Sequence, residues 1–98
     1  MSEIIKNNYE AMFIFSSSLT DEETEQLLEK VKALISEHGT LGEVDVWGKR
    51  KFAYLINDES EGTYILINFE SSAEFPAELD RVAKITDGIL RTLIIKKD

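Results

Sequence analysis

Between Trp47 and Ile56 the chain reads WGKRKFAYLI, and Lys49, Arg50 and Lys51 stand there as three consecutive cations among Trp47, Phe52 and Tyr54. Adjacent cations repel one another and gain nothing from burial. A polyanion turns that repulsion into attraction and releases counterions. The interleaved aromatic faces suit stacking on bases or filling a partner's pocket. A plainer reading fits the same residues: a sheet edge often carries Lys and Arg to block edge-to-edge association, with its aromatics in the core. Spacing alone leaves both readings open.

Other chemistry is missing. There is no cysteine, which removes disulfides and thiol chemistry and permits a reducing compartment. His38 is the single histidine and falls at the end of an expected helix, where a cation complements the dipole. One histidine without cysteine cannot assemble a zinc site or a Ser-His or Cys-His nucleophile. The five glycines are scattered at turns and form no phosphate cradle. Asp58 and Glu59 sit in an expected polar turn, where nothing desolvates a carboxyl enough for acid catalysis. No enzyme, cofactor, metal or small-molecule substrate is expected.

With 98 residues, 43% apolar and 31% charged, the chain is expected to form one globular domain over 1–98. No apolar run approaches the roughly 18 residues of a membrane span, and MSEIIKNNYE lacks the regions of a signal peptide. A cytoplasmic protein without a membrane partner is the expectation. The formal net charge of −8 speaks against nonspecific phosphate binding. That charge is unevenly spread, however. Residues 1–46 carry ten acidic and three basic side chains, and residues 47–98 carry nine and eight. A local patch still acts on an anion within a Debye length, roughly 8 Å at physiological salt.

The elements that must position these groups follow from periodicity. Tyr9–Phe15 is nearly continuous in apolar residues and reads as a buried central strand. Thr20-Asp21-Glu22-Glu23 has the form of a capping box, and Leu27, Leu28, Val31, Leu34 and Ile35 make one helical stripe. Gly39 is expected as its left-handed cap. From Val44 the pattern alternates through the basic stretch to about Ile56, with a bulge expected near Gly48. Asn57–Gly62 is expected as a polar turn and Thr63–Phe69 as the next strand, the two strands pairing as a hairpin. Ser71 and Ser72 are offered as caps of a second helix, with Pro76 in its first turn and Phe75, Leu79, Val82 and Ala83 facing the core. Asp87-Gly88 turns the chain into a last strand, Ile89–Ile95, with Arg91 on an open face or at an edge. The order βαββαβ predicts an α+β, ferredoxin-like split β-α-β fold. It has a four-stranded antiparallel sheet in order 4-1-3-2 with two helices on one face, and leaves the other face open.

An RNA-recognition motif begins its third strand basic-Gly-aromatic, whereas this chain has Glu61-Gly62-Thr63-Tyr64-Ile65, so that module is disfavoured. The chain as a whole instead resembles the bacterial ribosomal small-subunit protein six family. Gly48–Asn57, GKRKFAYLIN, is similar to that family's signature of glycine, basic residues, an apolar residue and Ala-Tyr-x-Ile. Tyr9-Glu10, Glu78-Leu79-Asp80-Arg81 and Ile89-Leu90-Arg91 match in order and spacing.

The resemblance implies a structural, rRNA-binding protein of the small (30S) ribosomal subunit. It also implies a heterodimer with ribosomal small-subunit protein eighteen that binds the central domain of 16S ribosomal RNA. By position, Lys49, Arg50, Lys51 and Arg91 are implied as phosphate or partner contacts, joined by Lys96 and Lys97, while Tyr9 and Tyr54 match family aromatics, with a place in the core left open for either. Asn7 and Asn8 stand where family members often carry basic residues, so an N-terminal RNA contact is either lost or carried by Lys6, and the chain stops at Asp98 without the longer tail of some members, so no tail-mediated contact is expected. Alternate side chains of WGKRKFAYLI are expected to hold the sheet to its helices, leaving the cations to RNA or the partner. The competing class is a protein-only interaction or ligand-sensing module on the same fold.

Overall fold

Residues 6–56 and 58–97 are described by the computed structural model. The order is β1 (Lys6–Ser16), α1 (Asp21–His38), β2 (Gly39–Ile56), β3 (Glu59–Ser72), α2 (Phe75–Lys84) and β4 (Ile89–Lys96). The strands form one sheet in the order β2-β3-β1-β4, all pairs antiparallel, as periodicity predicts. β1 is central because it is apolar on both faces. Tyr9, Ala11, Phe13 and Phe15 point to the helices, and Ile14 is buried on the opposite side. Ile65, Ile67 and Phe69 of β3 join the same core.

α1 starts at its capping box: the Glu23 amide donates to Thr20 Oγ1 at 3.1 Å, and the Thr20 amide donates to the Glu23 carboxylate at 2.9 Å. Asp21, Glu22 and Glu23 complement the positive end of the helix dipole. Val31 and Ile35 are buried against the sheet, with Leu27, Leu28 and Leu34 packed around them. α2 places Pro76 in its first turn and buries Phe75, Leu79 and Ala83, while Val82 is half-buried. Each such large side chain contributes about 1.5–3 kcal/mol through burial, which is what fastens both helices to one face. His38 ends α1 with its ring stacked on Phe75 at 4.8 Å and Nδ1 against the Leu34 carbonyl at 3.1 Å, so Nδ1 carries the proton.

Three local expectations are corrected. Gly39 is not a left-handed cap: its φ of −172° and ψ of −155° are extended, and it opens β2 directly. Glycine is needed there because a Cβ would collide with the Glu70 carbonyl of the neighbouring strand. Ser71 and Ser72 do not cap α2. They continue β3, Ser71 pairing with both Asn7 and Gly39, and the N-cap position is held by Glu74 without a side-chain cap bond. The hairpin turn is tighter than NDESEG. β3 already begins at Glu59, opposite Ile56, and Asp58 takes the positive φ of 65° that an Asp tolerates. Asn57, part of the expected turn, lies outside the described residues.

Candidate nucleic-acid interface

β2 is an edge strand, and its second half leaves the body of the protein. β1 stops pairing at Ser16, opposite Gly62, so the β2–β3 ribbon beyond that point has no third strand beside it. The molecule is correspondingly long, 49 × 26 × 23 Å. The bulge expected near Gly48 is present: the register shifts between Val46 and Gly48, and Gly48 has a φ of +85°. That conformation suits glycine, which has no Cβ to oppose it. The bulge decides which way the cations face. Gly48 lies across from Tyr64 and Arg50 across from Gly62, on the open face, whereas Lys49 and Lys51 lie across from Thr63 and Glu61. The three cations therefore wrap the free edge from both sides.

All three are exposed, and among the described residues none of Lys49, Arg50, Lys51, Arg91, Lys96 and Lys97 makes a salt bridge. The ion pairs present are intrahelical: Lys32–Glu29, Arg81–Glu78 and Lys84–Asp80. Tyr54 is 74% exposed, Leu55 60% and Trp47 45%, and the Trp47 indole N–H donates to Asp45 at 2.9 Å. The expectation that alternate residues of this stretch bind the sheet to its helices is not met: among the described residues none of 47–56 belongs to the core cluster or packs against it. Phe52 is the large side chain that packs. Its ring sits over Gly62 and against Tyr64, at 6.1 Å between centroids, on the open face.

The remaining candidates are dispersed. Arg91 is exposed on β4 at the opposite sheet edge. It lies in one row with Ile14, Tyr64 and Gly48, and borders a shallow open-face cavity of about 260 Å³ with Met12 and Leu93. Three strand spacings separate it from β2, about 14 Å. Lys96 pairs with Tyr9, and Lys97 donates from its amide to the Asn8 carbonyl at 2.9 Å and from Nζ to Asn68 at 3.2 Å, both at the far end from the ribbon. Tyr9 is core: it is 7% exposed, with its ring stacked on Phe69 at 5.5 Å, which leaves no face for a base. Sequence reading missed Phe52's seat on Gly62 and the contacts of Glu59. A glycine inside a strand pattern, which marks close approach, was the available signal for the first.

Among the described residues no group of three or more His, Asp or Glu is placed to hold a metal, and no helix is long and apolar enough to cross a membrane. The class is a ferredoxin-like α+β protein with two helices and a four-stranded antiparallel sheet that carries an exposed cationic and aromatic ribbon along one edge. The family model for ribosomal protein S6 matches residues 8–96, and the chain belongs to that family. It is 52% identical over 94 residues to small ribosomal subunit protein bS6 of Thermoanaerobacter pseudethanolicus, an alignment covering 93% of this chain and 97% of that one. The protein of the same name from Clostridium novyi is 47% identical over 92 residues, with the same coverage. The crystal structure of 30S ribosomal protein S6 from Thermotoga maritima superposes with a TM-score of 0.89 at 35% identity, over 95% of this chain and 89% of that one. The family is one of small-subunit ribosomal proteins, structural components of the cytoplasmic ribosome and not enzymes.

Proposed function

We propose that this chain, as a small-subunit protein, binds the central domain of 16S ribosomal RNA together with ribosomal small-subunit protein eighteen. The observation that carries this reading is the run of three cations, without a salt bridge among the described residues, wrapped around a free sheet edge beside exposed Tyr54 and Leu55. Lys49, Arg50 and Lys51 engage phosphates. Arg91, Lys96 and Lys97 lie too far across the sheet to join the same contact and serve the partner or a separate RNA segment. Tyr54 offers an accessible ring, and Tyr9 supports the sheet from within.

The net charge of −8 supports a role for the partner. Carboxylates of this chain attract a basic partner, and the pair presents to RNA a field that this chain alone lacks. RNA binding by this chain alone as tight as by the pair would refute that part. For the cationic edge, RNA affinity is measured with the partner present as a function of salt. Replacing Lys49, Arg50 and Lys51 by Ala is expected to lower the slope of log affinity against log salt by about 2–3. An unchanged slope overturns phosphate contact by this edge.

A further inference from the structure

The arm formed by Lys49–Glu61 is a two-stranded ribbon where it outruns β1, and its own pairing is irregular between Lys51 and Ile56. Two-stranded ribbons are marginal by themselves. Something must hold this one at a fixed angle to the body. Phe52 supplies an apolar anchor over Gly62. The polar anchor is Glu59, at the far end of the arm, whose carboxylate folds back onto the turn after β1. Ser16 Oγ donates to its two oxygens at 2.9 and 2.8 Å, the Ser17 amide donates at 3.0 Å and Ser17 Oγ at 3.2 Å. Among the described residues, no other side chain of the arm makes a hydrogen bond to the body.

Proton counting shows that this contact is directional. Ser16 Oγ has one hydrogen, shared between the two carboxylate oxygens, so its lone pairs must receive. The Ser18 amide donates to it at 3.2 Å, and Ser18 Oγ, 2.7 Å away, is the donor of that pair. Ser16 is itself buried and held by its amide on the Gly88 carbonyl at 2.7 Å. A carboxylate, an acceptor at every lone pair, is the group this cluster of donors requires.

We propose that Glu59 is a positioning residue: it fixes the angle of the arm and so presents Lys49, Arg50, Lys51 and Tyr54 to RNA and partner. The inference rests on the function proposed above. It makes a prediction opposite in sign to simple electrostatics. Glu59 is an anion on the arm that carries the cations, so on charge alone its removal strengthens RNA binding. As a positioning residue its removal weakens binding, because apparent affinity falls with the fraction of molecules holding the competent orientation.

The test uses the full chain with its partner and a central-domain RNA fragment, comparing Glu59→Ala, Glu59→Gln and the triple Ala variant of Lys49, Arg50 and Lys51. Glu59→Ala is expected to weaken RNA binding about tenfold, the result of an arm that is competent about one time in ten, with the parent's salt slope retained. Amide exchange should quicken in the arm and stay unchanged at Ile65 and Ile67. Glu59→Gln keeps an acceptor for the Ser17 amide and is expected to restore most of the affinity. If Glu59→Ala does not fold, Ser16→Ala removes the two shortest contacts without touching an arm charge and should weaken binding in the same direction. Binding by Glu59→Ala or Ser16→Ala as tight as the parent's, while the triple variant binds more weakly, overturns the positioning role and leaves the phosphate-binding edge standing. A triple variant that binds like the parent overturns that edge, and this inference with it.

Discussion

Replacing Gly62 with alanine tests how the arm is joined to the body. Gly62 sits where β1 ends, under the Phe52 ring, and a Cβ there would lie 2.8 Å from Ile14 Cγ2, 2.8 Å from the Phe15 carbonyl oxygen and 2.9 Å from Phe52 Cζ. Carbon atoms prefer separations of about 3.5–4.0 Å, so each neighbour must give by several tenths of an ångström. The Ile14 methyl and the Phe52 ring edge can move; the carbonyl of a central strand cannot move cheaply. Overpacking of this kind costs about 1–3 kcal/mol. Against it stands the smaller conformational entropy of unfolded alanine, worth up to about 1 kcal/mol. The net expectation is a loss of about 1–2 kcal/mol, each kcal/mol lowering Tm by roughly 4–8 °C in a domain of this size. Urea unfolding measures it, with the denaturant slope unchanged. A double-mutant cycle with Phe52→Ala should show coupling of about 0.5 kcal/mol or more, because the ring edge is then gone while the Phe15 carbonyl remains. Gly62→Ala as stable as the parent, or strict additivity in the cycle, would refute the seating of Phe52 on Gly62.

Two further outcomes are expected. Thr20→Ala removes one half of the capping box of α1 and should cost about 1 kcal/mol by urea unfolding, with Thr20→Ser close to the parent; an unaltered midpoint would show the box contributes nothing. Hydrogen bonds from Arg81 at 2.9 and 2.8 Å, and then its charge, hold the Glu78 carboxyl below its ordinary range. A lowered folded-state value means stability that is present above the unfolded carboxylate range and lost as pH falls through the folded value. Glu78→Gln should therefore lower Tm slightly at neutral pH and match the parent once the folded carboxyl is protonated, whereas a gap that widened on acidification would reverse the assigned sign.

Much of the architecture was legible because each element carried its own period. The nearly continuous apolar run Tyr9–Phe15 marked a strand buried on both sides, and the box at Thr20 placed a helix start that the structure reproduces to the residue. The failures share one physical cause: they concern groups whose partner comes from a distant strand. Gly39 looked like a helix cap because only its local neighbours were readable, whereas the Glu70 carbonyl decides it. Gly62 looked like part of a turn because a polar run precedes it, yet the tight turn ahead of Glu59 leaves it inside β3. Ser71 looked like a cap and is instead held between Asn7 and Gly39. For the candidate interface, the residue types were readable and their facing was not. One bulge at Gly48 determines that Arg50 lies on one side of the edge and Lys49 and Lys51 on the other.

The split of charge between the two strands of the arm bears on how an acidic protein meets RNA. Lys49–Glu61 carries three cations and the acids Asp58, Glu59 and Glu61, so its formal charge is near zero. The signs are nevertheless segregated. All three cations lie on β2, the free edge, and Glu59 and Glu61 lie on β3, the inner strand of the ribbon. Glu59 is turned away onto Ser16 and Ser17. A phosphate at the edge meets cations at contact distance, while beyond about 8 Å the fields of the patch and of the acidic remainder are both largely screened. Such a surface gives little long-range attraction and strong dependence on orientation. On the function proposed above, recognition of RNA is the docking of this edge at a set angle, for which the partner protein supplies the attraction and Glu59 the angle.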